Sequence, residues 1–408
     1  MPSLQDAPFL DFFDEEFQTD PGAVINPLRE QTPVVQTPIG GLVISREHVA
    51  SLLADRRLRS SVPDIVRMQG VGDSIVTERI TTSIIALEGE DHQRLRRLAS
   101  RAFTPRAIDR HRADMRATLT SLLDPIVADG RCDFVDAVTE HYPIQVMCHV
   151  LGVPDEDHED FARWNKMVTW ALSFHLGEHM DEVVEGMTRL DEYSDALVAD
   201  RRLEPRDDMV TAMVRAREAD DRLTDDEIAG MIASLLFAGY DTTRNQLGLG
   251  MWLFTQHPDQ WELLRADHSL ATAAVEEIMR HEGAVSVAPR FTIEDIDLDG
   301  WHIPAGTLLS LGTSAANHDP ATYDRPGEFD ITAEREPHFT FGGGPHYCLG
   351  ANLARAEMQE ALPLLAEAMP DLALDGEPTW RPPLGIFGPE YLPLRWTTPS
   401  DRDQNLSR

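Results

Sequence analysis

The strongest chemical signal in the sequence is a glycine-dense loop that brings a cysteine to the start of a helix. The loop runs Phe341-Gly-Gly-Gly344-Pro-His-Tyr-Cys348-Leu-Gly350. N–H groups at a helix N-terminus favour negative charge on the sulfur, and a bound metal deprotonates a thiol outright. Gly344 and Gly350 would let the backbone approach a flat ligand closely, and Phe341 would limit the access of water to the sulfur. The loop therefore predicts that Cys348 is a thiolate ligand of a metal.

A second signal lies in the middle of a helical stretch, where Asp241 and Thr242 follow Gly239. Gly239 and Thr242 continue an apolar stripe of that helix, so a glycine and then a hydroxyl interrupt an apolar face. Glycine inside a helix costs roughly 1 kcal/mol relative to alanine, and the close approach of a ligand would explain it. The plainer alternative is that Asp241 is solvated and that Thr242 bonds to a carbonyl one turn back.

Two sets of charged residues are weak signals by themselves. Glu277 and Arg280 lie on one helix face, but such pairs are common on surfaces and stabilise a helix by only roughly 0.2–0.5 kcal/mol. His92 and Arg96 also share a helix face, and a solvated surface would explain them equally well. Only a link to the cysteine loop would give either set a function.

The elements that must position these residues are mainly helical. From Asp91 to about Arg280 the apolar residues recur with the 3.6-residue period of helices. Thr224 and Glu227 have the spacing of a capping box, which marks the start of a helix of more than 30 residues. The predicted helical segments are 107–128, 134–151, 155–174, 181–202 and 224–257.

Short β-like runs flank this helical body. They are predicted at 34–36, 42–45, 289–292, 296–303 and 307–310, with a hairpin over 380–396. Because there is no internal repeat and no low-complexity linker, the sequence predicts a mainly α fold with small β-sheets (α+β) in a single domain over 1–408. Its parts are an N-terminal β-rich part (1–88), a helical body (89–281) and a C-terminal part with the cysteine loop (282–408).

Charge and cysteine content limit the classes of function. Acidic residues outnumber basic residues by 70 to 36, a formal net charge of −34, which argues against binding to nucleic acid or to an anionic membrane. The N-terminus lacks the features of a signal peptide, and the most apolar helical stretch, 230–237, is too short to span a membrane. We expect a cytoplasmic protein in which Cys132 and Cys148 are buried free thiols.

The spacing Phe341-x-x-Gly344-x-x-x-Cys348-x-Gly350 resembles the heme-binding signature of the soluble bacterial cytochrome P450 family. The resemblance covers nearly the whole chain. It implies a triangular-prism-like domain with a long central helix, heme b as the cofactor, and a monooxygenase activity. It also implies that Cys348 is the axial ligand, whose thiolate pushes electron density toward the iron.

The same resemblance implies roles for the other motifs. In the family an acid and an alcohol relay protons to the oxygen that is activated, so Asp241 would supply protons and Thr242 would hold the oxygen by a hydrogen bond. Glu277 and Arg280 match the family's bracing Glu-x-x-Arg pair. The family's third partner, an arginine eight residues before Phe341, is Ala333 here, and Arg335 is the candidate to replace it.

Further resemblance assigns the residues that contact the heme and the substrate. Burying the heme propionates requires cationic partners. The predicted propionate partners are His92, Arg96, Arg290 and His346, and Gly239 is predicted to face the heme. The predicted substrate pocket, which is apolar and offers no charged anchor, is formed by Ile85, Trp170, Ser234, Phe237, Ala238, Val287 and Ile386.

The resemblance also implies partners. The substrate would be a small hydrophobic molecule such as a terpenoid, a steroid, a fatty acyl chain or a polyketide. Electrons would come from a separate ferredoxin with its ferredoxin reductase, which would dock on arginines near the His92 helix. The predicted docking arginines are Arg94, Arg97, Arg101, Arg106 and Arg355.

Three alternatives stay open at this point. The chain could be a heme-binding protein without turnover, or a coupling or desaturating enzyme of the same fold. It could also use peroxide, although such an enzyme would be expected to replace the pair Asp241 and Thr242 with a residue that orients a substrate carboxylate.

Overall fold

The architecture follows from a computed structural model, which describes residues 2–172, 176–218, 221–382 and 385–398. Helices dominate this part of the chain. The helices that start before residue 200 are α1 (Glu15–Thr19), α2 (Pro21–Arg29), α3 (Arg46–Leu52), α4 (Val62–Met68), α5 (Ile75–Thr81), α6 (Gly89–Ala99), α7 (Pro105–Asp109), α8 (Arg112–Leu123), α9 (Tyr142–Leu151), α10 (His158–Met167) and α11 (Met180–Leu203). The later helices are α12 (Met209–Arg215), α13 (Asp225–Gln256), α14 (Pro258–Ala266), α15 (Ala271–His281), α16 (Thr313–Asn317) and α17 (Ala351–Ala368).

The strands are short and form small sheets. They are β1 (Val34–Thr37), β2 (Gly40–Val43), β3 (Leu58–Ser60), β4 (Arg131–Asp133), β5 (Arg217–Glu218), β6 (Asp221–Arg222), β7 (Ala288–Thr292), β8 (Ile296–Leu298), β9 (Trp301–Ile303), β10 (Leu308–Leu311), β11 (Ala373–Leu374), β12 (Thr379–Trp380), β13 (Pro389–Tyr391) and β14 (Pro393–Arg395). The largest sheet has the order β1-β2-β10-β7-β3, and β11-β14-β4 form a second sheet. The predicted mainly α fold with small sheets is confirmed.

Helix α13 is the central element, and its start is the one that the sequence predicts. The Thr224 side chain accepts a hydrogen bond from the Glu227 N–H, and the Glu227 carboxylate accepts one from the Thr224 N–H. Helices α9, α11 and α12 contact α13, and residues from α6 to β14 join it in one large apolar core. The core fixes the helix on which Asp241 and Thr242 lie.

Several predicted segments differ from the structure. The segment 107–128 is shorter, as α8, because the chain turns at Arg110–His111. The segment 134–151 contains a π-helical turn, Val135–Thr139, before Pro143 near the start of α9. The predicted hairpin over 380–396 is divided, because β13 pairs with β12 whereas β14 pairs with β4 and β11. The first two differences are local breaks in the helical backbone, and only the divided hairpin comes from pairing between distant segments.

No helix in the described ranges is long and apolar enough to cross a membrane. Cys148 is buried and Cys132 is half-buried, and both are unpaired. Burial raises the pKa of Cys132 to about 12, so this thiol stays protonated at neutral pH. The division of residues 1–408 into three parts of one domain stays a prediction.

Candidate functional site

The cysteine loop is closed by its own backbone. The Cys348 N–H donates to the Phe341 carbonyl at 2.9 Å, and Gly350 precedes the first residue of α17. Burial raises the pKa of the Cys348 thiol, while the Gly350 N–H and the charges of Arg96 and Arg355 lower it. The sulfur is therefore held in a dry site with cationic neighbours, where coordination to a metal would supply the remaining stabilisation of a thiolate.

Arg355 and Phe341 enclose the loop from one side. The Arg355 guanidinium lies 4.5 Å from the centroid of the Phe341 ring and donates to Glu276 from Nε at 2.6 Å. Arg355 lies on α17 and Glu276 on α15, and these two helices pack against each other. The predicted position of Phe341 beside the cysteine agrees with this arrangement.

The structure shows which neighbouring atoms would meet a side chain at each glycine near the site. Gly344 has φ +62°, and a Cβ on it would lie 2.3 Å from the Leu53 carbonyl oxygen, so it packs against α3's last turn. A Cβ on Gly239 would lie 2.6 Å from Met147 Cε, so helix packing explains that glycine. Only at Gly350 would a Cβ meet no protein atom within 4 Å. Packing against protein is thus a competing cause for Gly344 and Gly239, and the approach of these glycines to a flat ligand stays a prediction.

Three of the four predicted propionate partners meet around Glu88, a residue that the sequence did not indicate. His346 Nε2 lies 3.1 Å from Glu88 Oε1, and the His346 and His92 rings are 4.3 Å apart. The charge of Glu88 also acts on the half-buried Arg290, whereas Arg96 acts on the ring of His92. Glu88 directly precedes α6, and this position before His92 was the available signal.

Some side-chain nitrogens of this cluster have no side-chain acceptor among the described residues. His92 is 1% exposed, and its Nε2 has no hydrogen-bond partner. Burial lowers the pKa of His92 to about 4, and a carboxylate beside the ring would raise that pKa again, so the role of His92 as a propionate partner stays a prediction. Arg290 donates to its neighbour Pro289 at 3.0 Å, and burial lowers its pKa. Unpaired donors of this kind fit the carboxylates of a heme.

Asp241 is buried in an ion pair and is not solvated. It is 3% exposed, and Arg381 Nη1 donates to both of its carboxylate oxygens at 2.8 Å. Asn245 Nδ2 donates to Asp241 Oδ1 at 3.2 Å. Arg381 follows β12 and is 140 residues away along the chain. The solvated alternative for Asp241 is wrong, and Arg381 was missed because nothing local predicts such a distant partner.

Thr242 lies on the next position of the same helix. Its hydroxyl donates to the Ala238 carbonyl at 2.6 Å, which is the bond that the plainer alternative expects. Thr242 is only half-buried, and Ala238 is exposed. The helix thus presents an accessible hydroxyl beside a buried acid.

The Glu277 and Arg280 pair is a fully buried brace. Arg280 Nε donates to Glu277 Oε2 at 2.7 Å, and both side chains are at most 2% exposed. Arg280 also donates to the carbonyls of Asn317, Pro326 and Glu328, which tie α15 to the segment before the cysteine loop. Arg335 Nη2 lies 3.6 Å from Glu277 Oε1, so Arg335 joins the network despite the shift of two positions from Ala333.

A cavity lies between α5, α11 and α13. Two of the predicted pocket residues, Ile85 and Ser234, line it. Most of its other described lining residues are apolar: Ile80, Val168, Ala171, Met187, Leu190 and Ala233. Arg79 and Asp191 are polar exceptions that the sequence analysis did not find.

The remaining predicted pocket residues have separate surroundings. Trp170 stacks on His179 with ring centroids 4.1 Å apart, and Val287 packs against the N-terminal core cluster of Leu10 and Ile25. Ile386 pairs with Val285 in an isolated bridge. The side chain of Phe237 lies outside the described part of the chain. Trp170 and Val287 therefore have packing roles that explain them.

Comparisons with known proteins agree with this site. Residues 67–367 match the family model described as Cytochrome P450. The chain is 38% identical to luteothin monooxygenase of Streptomyces thioluteus over 97% of both chains. It is 34% identical to the cytochrome P450 monooxygenase PikC of Streptomyces venezuelae, over 94% of this chain and 92% of that one. The ligand-free P450 monooxygenase TamI has a similar structure, with a TM-score of 0.84 and 34% identity over 96% of this chain and 95% of that one.

Proposed function

This chain belongs to the cytochrome P450 family, and we propose that it hydroxylates or epoxidises a small hydrophobic substrate with Cys348 as the axial ligand of its heme. The chain is a cytochrome P450 monooxygenase whose cofactor is heme b. When bound, the heme supplies the activation of molecular oxygen.

The proposal rests on one observation: Cys348 has cationic neighbours, and side-chain donors with no side-chain acceptor among the described residues accompany it. The Gly350 N–H, Arg96 and Arg355 act on the sulfur, and His92 and Arg290 offer donors that no described protein acceptor takes up except the Pro289 carbonyl. A heme with an iron centre and two carboxylates would use both sets at once. A structural cysteine would need neither set.

The proton supply is assigned to this chain's own residues. Asp241 would supply the proton, and both of its carboxylate oxygens accept hydrogen bonds from Arg381 Nη1. Thr242 is the neighbouring hydroxyl, and its Oγ1 can pass a proton when it turns from the Ala238 carbonyl. We assign Arg381 as a positioning residue that keeps the Asp241 carboxylate at this part of α13.

The substrate is assigned by the cavity lining. Side chains such as Ile80, Val168 and Leu190 give the cavity a mainly apolar wall, which favours burial of a hydrophobic molecule. A terpenoid, a steroid, a fatty acyl chain or a polyketide would satisfy this wall.

The electron donor is assigned to a separate ferredoxin-type protein. Arg97 on α6, Arg101 after it and Arg106 on α7 are exposed, and Arg96 on α6 donates to the Tyr347 carbonyl beside the cysteine. These arginines would attract an acidic partner locally despite the net charge of −34. Arg94 and Arg355, the other two predicted docking arginines, form ion pairs with Glu227 and Glu276.

A carbon monoxide difference spectrum tests the ligand. The reduced holoenzyme is expected to give the long-wavelength Soret band of a thiolate heme, and Cys348→Ser is expected to abolish that band. Cys132→Ser is the control, since that thiol lies in β4 and should leave the band unchanged. A variant at Cys348 that keeps the band would overturn the assignment.

Turnover with a ferredoxin, a ferredoxin reductase and a spectrally identified substrate tests the activity. Asp241→Asn is expected to slow product formation by about 100-fold, because general acid catalysis contributes factors of this size. Thr242→Ala should give less product per electron, whereas Thr255→Ala, the same change near the end of the helix, should not. A normal spectrum without any oxidised product would indicate a heme-binding protein without turnover.

A further inference from the structure

The cavity between α5, α11 and α13 contains an ion pair that the proposed function does not use. Arg79 of α5 donates from Nε to Asp191 Oδ2 at 2.6 Å and from Nη1 to Asp226 Oδ1 at 3.1 Å. Asp191 lies on α11 and Asp226 on α13, so one arginine joins the three walls of the cavity. Arg79 is thereby paired with two carboxylates.

Asp191 is only partly satisfied by this arginine. The residue is 8% exposed, and its Oδ1 atom is buried without any hydrogen-bond partner. A buried polar atom without a partner costs roughly 1–3 kcal/mol, and more for a charged group. Burial raises the pKa of the Asp191 carboxyl, against the effect of Arg79. Asp191 thus lacks a donor at Oδ1 in a mainly apolar wall whose other polar side chains are Arg79, Ser83 and Ser234.

The cavity itself is lined by one base, Arg79, and one acid, Asp191, and the acidic excess comes from the adjoining cavity. In the described lining of this cavity and the adjoining one, Arg79 and Arg94 face four acids, which are Asp91, Asp191, Asp226 and Glu227. Arg94 is paired with Glu227, so it does not compensate Asp191. A cationic group is therefore the ligand chemistry that these walls favour.

We propose that Asp191 anchors a protonated amine at the end of a long apolar substrate. This inference rests on the proposed monooxygenase function and names the substrate class more closely. The ammonium group donates to Oδ1, while Arg79 keeps its bonds to Oδ2 and to Asp226. The sequence analysis found no charged anchor for the pocket, because Asp191 and Arg79 are 112 residues apart.

The position of Asp191 sets the shape of the substrate. Asp191 and Gly230 line the same cavity, and Gly230 is twelve residues before Thr242 on α13. At 1.5 Å per residue this is about 18 Å along the helix axis. The amine is therefore remote from the site of oxidation, and the apolar part of the molecule spans the distance between them.

Spectral titration of the holoenzyme tests this anchor. The probes are N,N-dimethyldodecylamine, dodecanol and dodecane, and the readout is the shift of the ferric Soret band. The amine is expected to bind at least tenfold more tightly than the other two, with the shift to shorter wavelength that accompanies loss of water from the iron. A shift to longer wavelength would mean that the amine itself binds the iron, and it would overturn the proposal.

Variants separate the anchor from a merely structural ion pair. Asp191→Asn should weaken binding of the amine at least tenfold and leave dodecane unchanged. Asp195→Asn, the same change one turn further along α11 at an exposed position, is the matched control. Arg79→Gln should keep or strengthen amine binding, since it frees Asp191 Oδ2. Equal weakening of all three probes in both cavity variants would show a structural role only.

Failure of the anchor can be told apart from failure of the proposed function. A protein without the thiolate Soret band fails the proposed function before any titration. A protein with that band that binds dodecane as tightly as the amine fails the anchor alone. Preference for dodecanol as well as the amine, lost in Asp191→Asn, would reassign the anchor to hydroxyl donors and overturn the ammonium class.

Discussion

The Glu277–Arg280 network and the cluster around Glu88 both bring charged side chains together, but they differ in burial and in pairing: Glu277 and Arg280 are at most 2% exposed, whereas Glu88 is 38% exposed. In the network, Arg280 bonds to Glu277 and to three backbone carbonyls. In the cluster, His92 Nε2 has no partner and Arg290 bonds only to a neighbouring carbonyl among the described residues. The guanidinium nitrogens of Arg280 are all paired within the protein, whereas the buried Nε2 of His92 has no partner among the described residues.

This difference separates stabilising residues from ligand-binding residues. A buried pair with every hydrogen bond made contributes to the fold, and the loss of one partner leaves a buried charge. A buried donor without a protein acceptor lowers stability until a ligand supplies the acceptor. We therefore expect changes in the network to affect folding and changes in the cluster to affect retention of the heme.

The largest effect is expected for Glu277→Ala. The substitution leaves the Arg280 guanidinium buried without its carboxylate, so the free energy of unfolding should fall by about 3–5 kcal/mol. Urea denaturation of the holoenzyme measures the change. Glu262→Ala, which removes the acid of an i, i+3 pair with Arg265 that is far more exposed, is the control. A loss below about 1 kcal/mol for Glu277→Ala would contradict the comparison.

Acid should destabilise the protein through two largely buried histidines near the Glu277–Arg280 network. His281 and His318 lie 5.4 Å apart, and burial lowers their pKa values to about 3 and about 4. Between about pH 4 and 6.5 the unfolded chain therefore binds protons that the folded protein does not, so stability falls as the pH falls. For each such histidine the slope is about 1.4 kcal/mol per pH unit.

The measurement is the free energy of unfolding at pH 7 and pH 5. Wild type should lose about 2 kcal/mol more than His318→Asn over this interval. His268→Asn, which changes a surface histidine beside Glu367, should keep the wild-type dependence. An unchanged slope in His318→Asn would contradict the prediction.

Arg290→Leu should weaken retention of the heme rather than the fold. Removing a half-buried cation that has no described carboxylate bond should not destabilise the protein, but it removes a partner for a heme carboxylate. Heme transfer to apomyoglobin is expected to be about tenfold faster, a change of about 1.4 kcal/mol. Arg189→Leu, in an exposed pair with Glu192, should leave the rate unchanged. An unaltered rate in Arg290→Leu would mean that Arg290 does not hold the heme and would contradict the prediction.

The smallest effect is expected for Arg335→Ala. Arg335 lies 3.6 Å from Glu277 and donates to the Glu328 carbonyl, so it supports the network without being its main partner. Thermal and urea denaturation should show a loss of about 1 kcal/mol. A loss as large as that of Glu277→Ala would make Arg335 an equal member of the brace.

The sequence was sufficient where the information is local. The spacing from Phe341 to Gly350 indicates the cysteine site. The capping box of Thr224 and Glu227 predicts the start of α13, and the long apolar periodicity predicts a mainly helical fold. Family, enzyme class and cofactor are confirmed by the comparisons. Each of these features depends on residues within a few turns of one another, so the pattern is visible in the chain.

Tertiary structure alone decided which charges meet. Arg381 reaches Asp241 across 140 residues, and Arg79 reaches Asp191 across 112. It also decided that Gly344 packs against the Leu53 carbonyl. Such partners are selected by the packing of whole elements, because burial makes an unpaired charge costly and whichever opposite charge the fold brings near becomes the partner. No local period or motif records that choice.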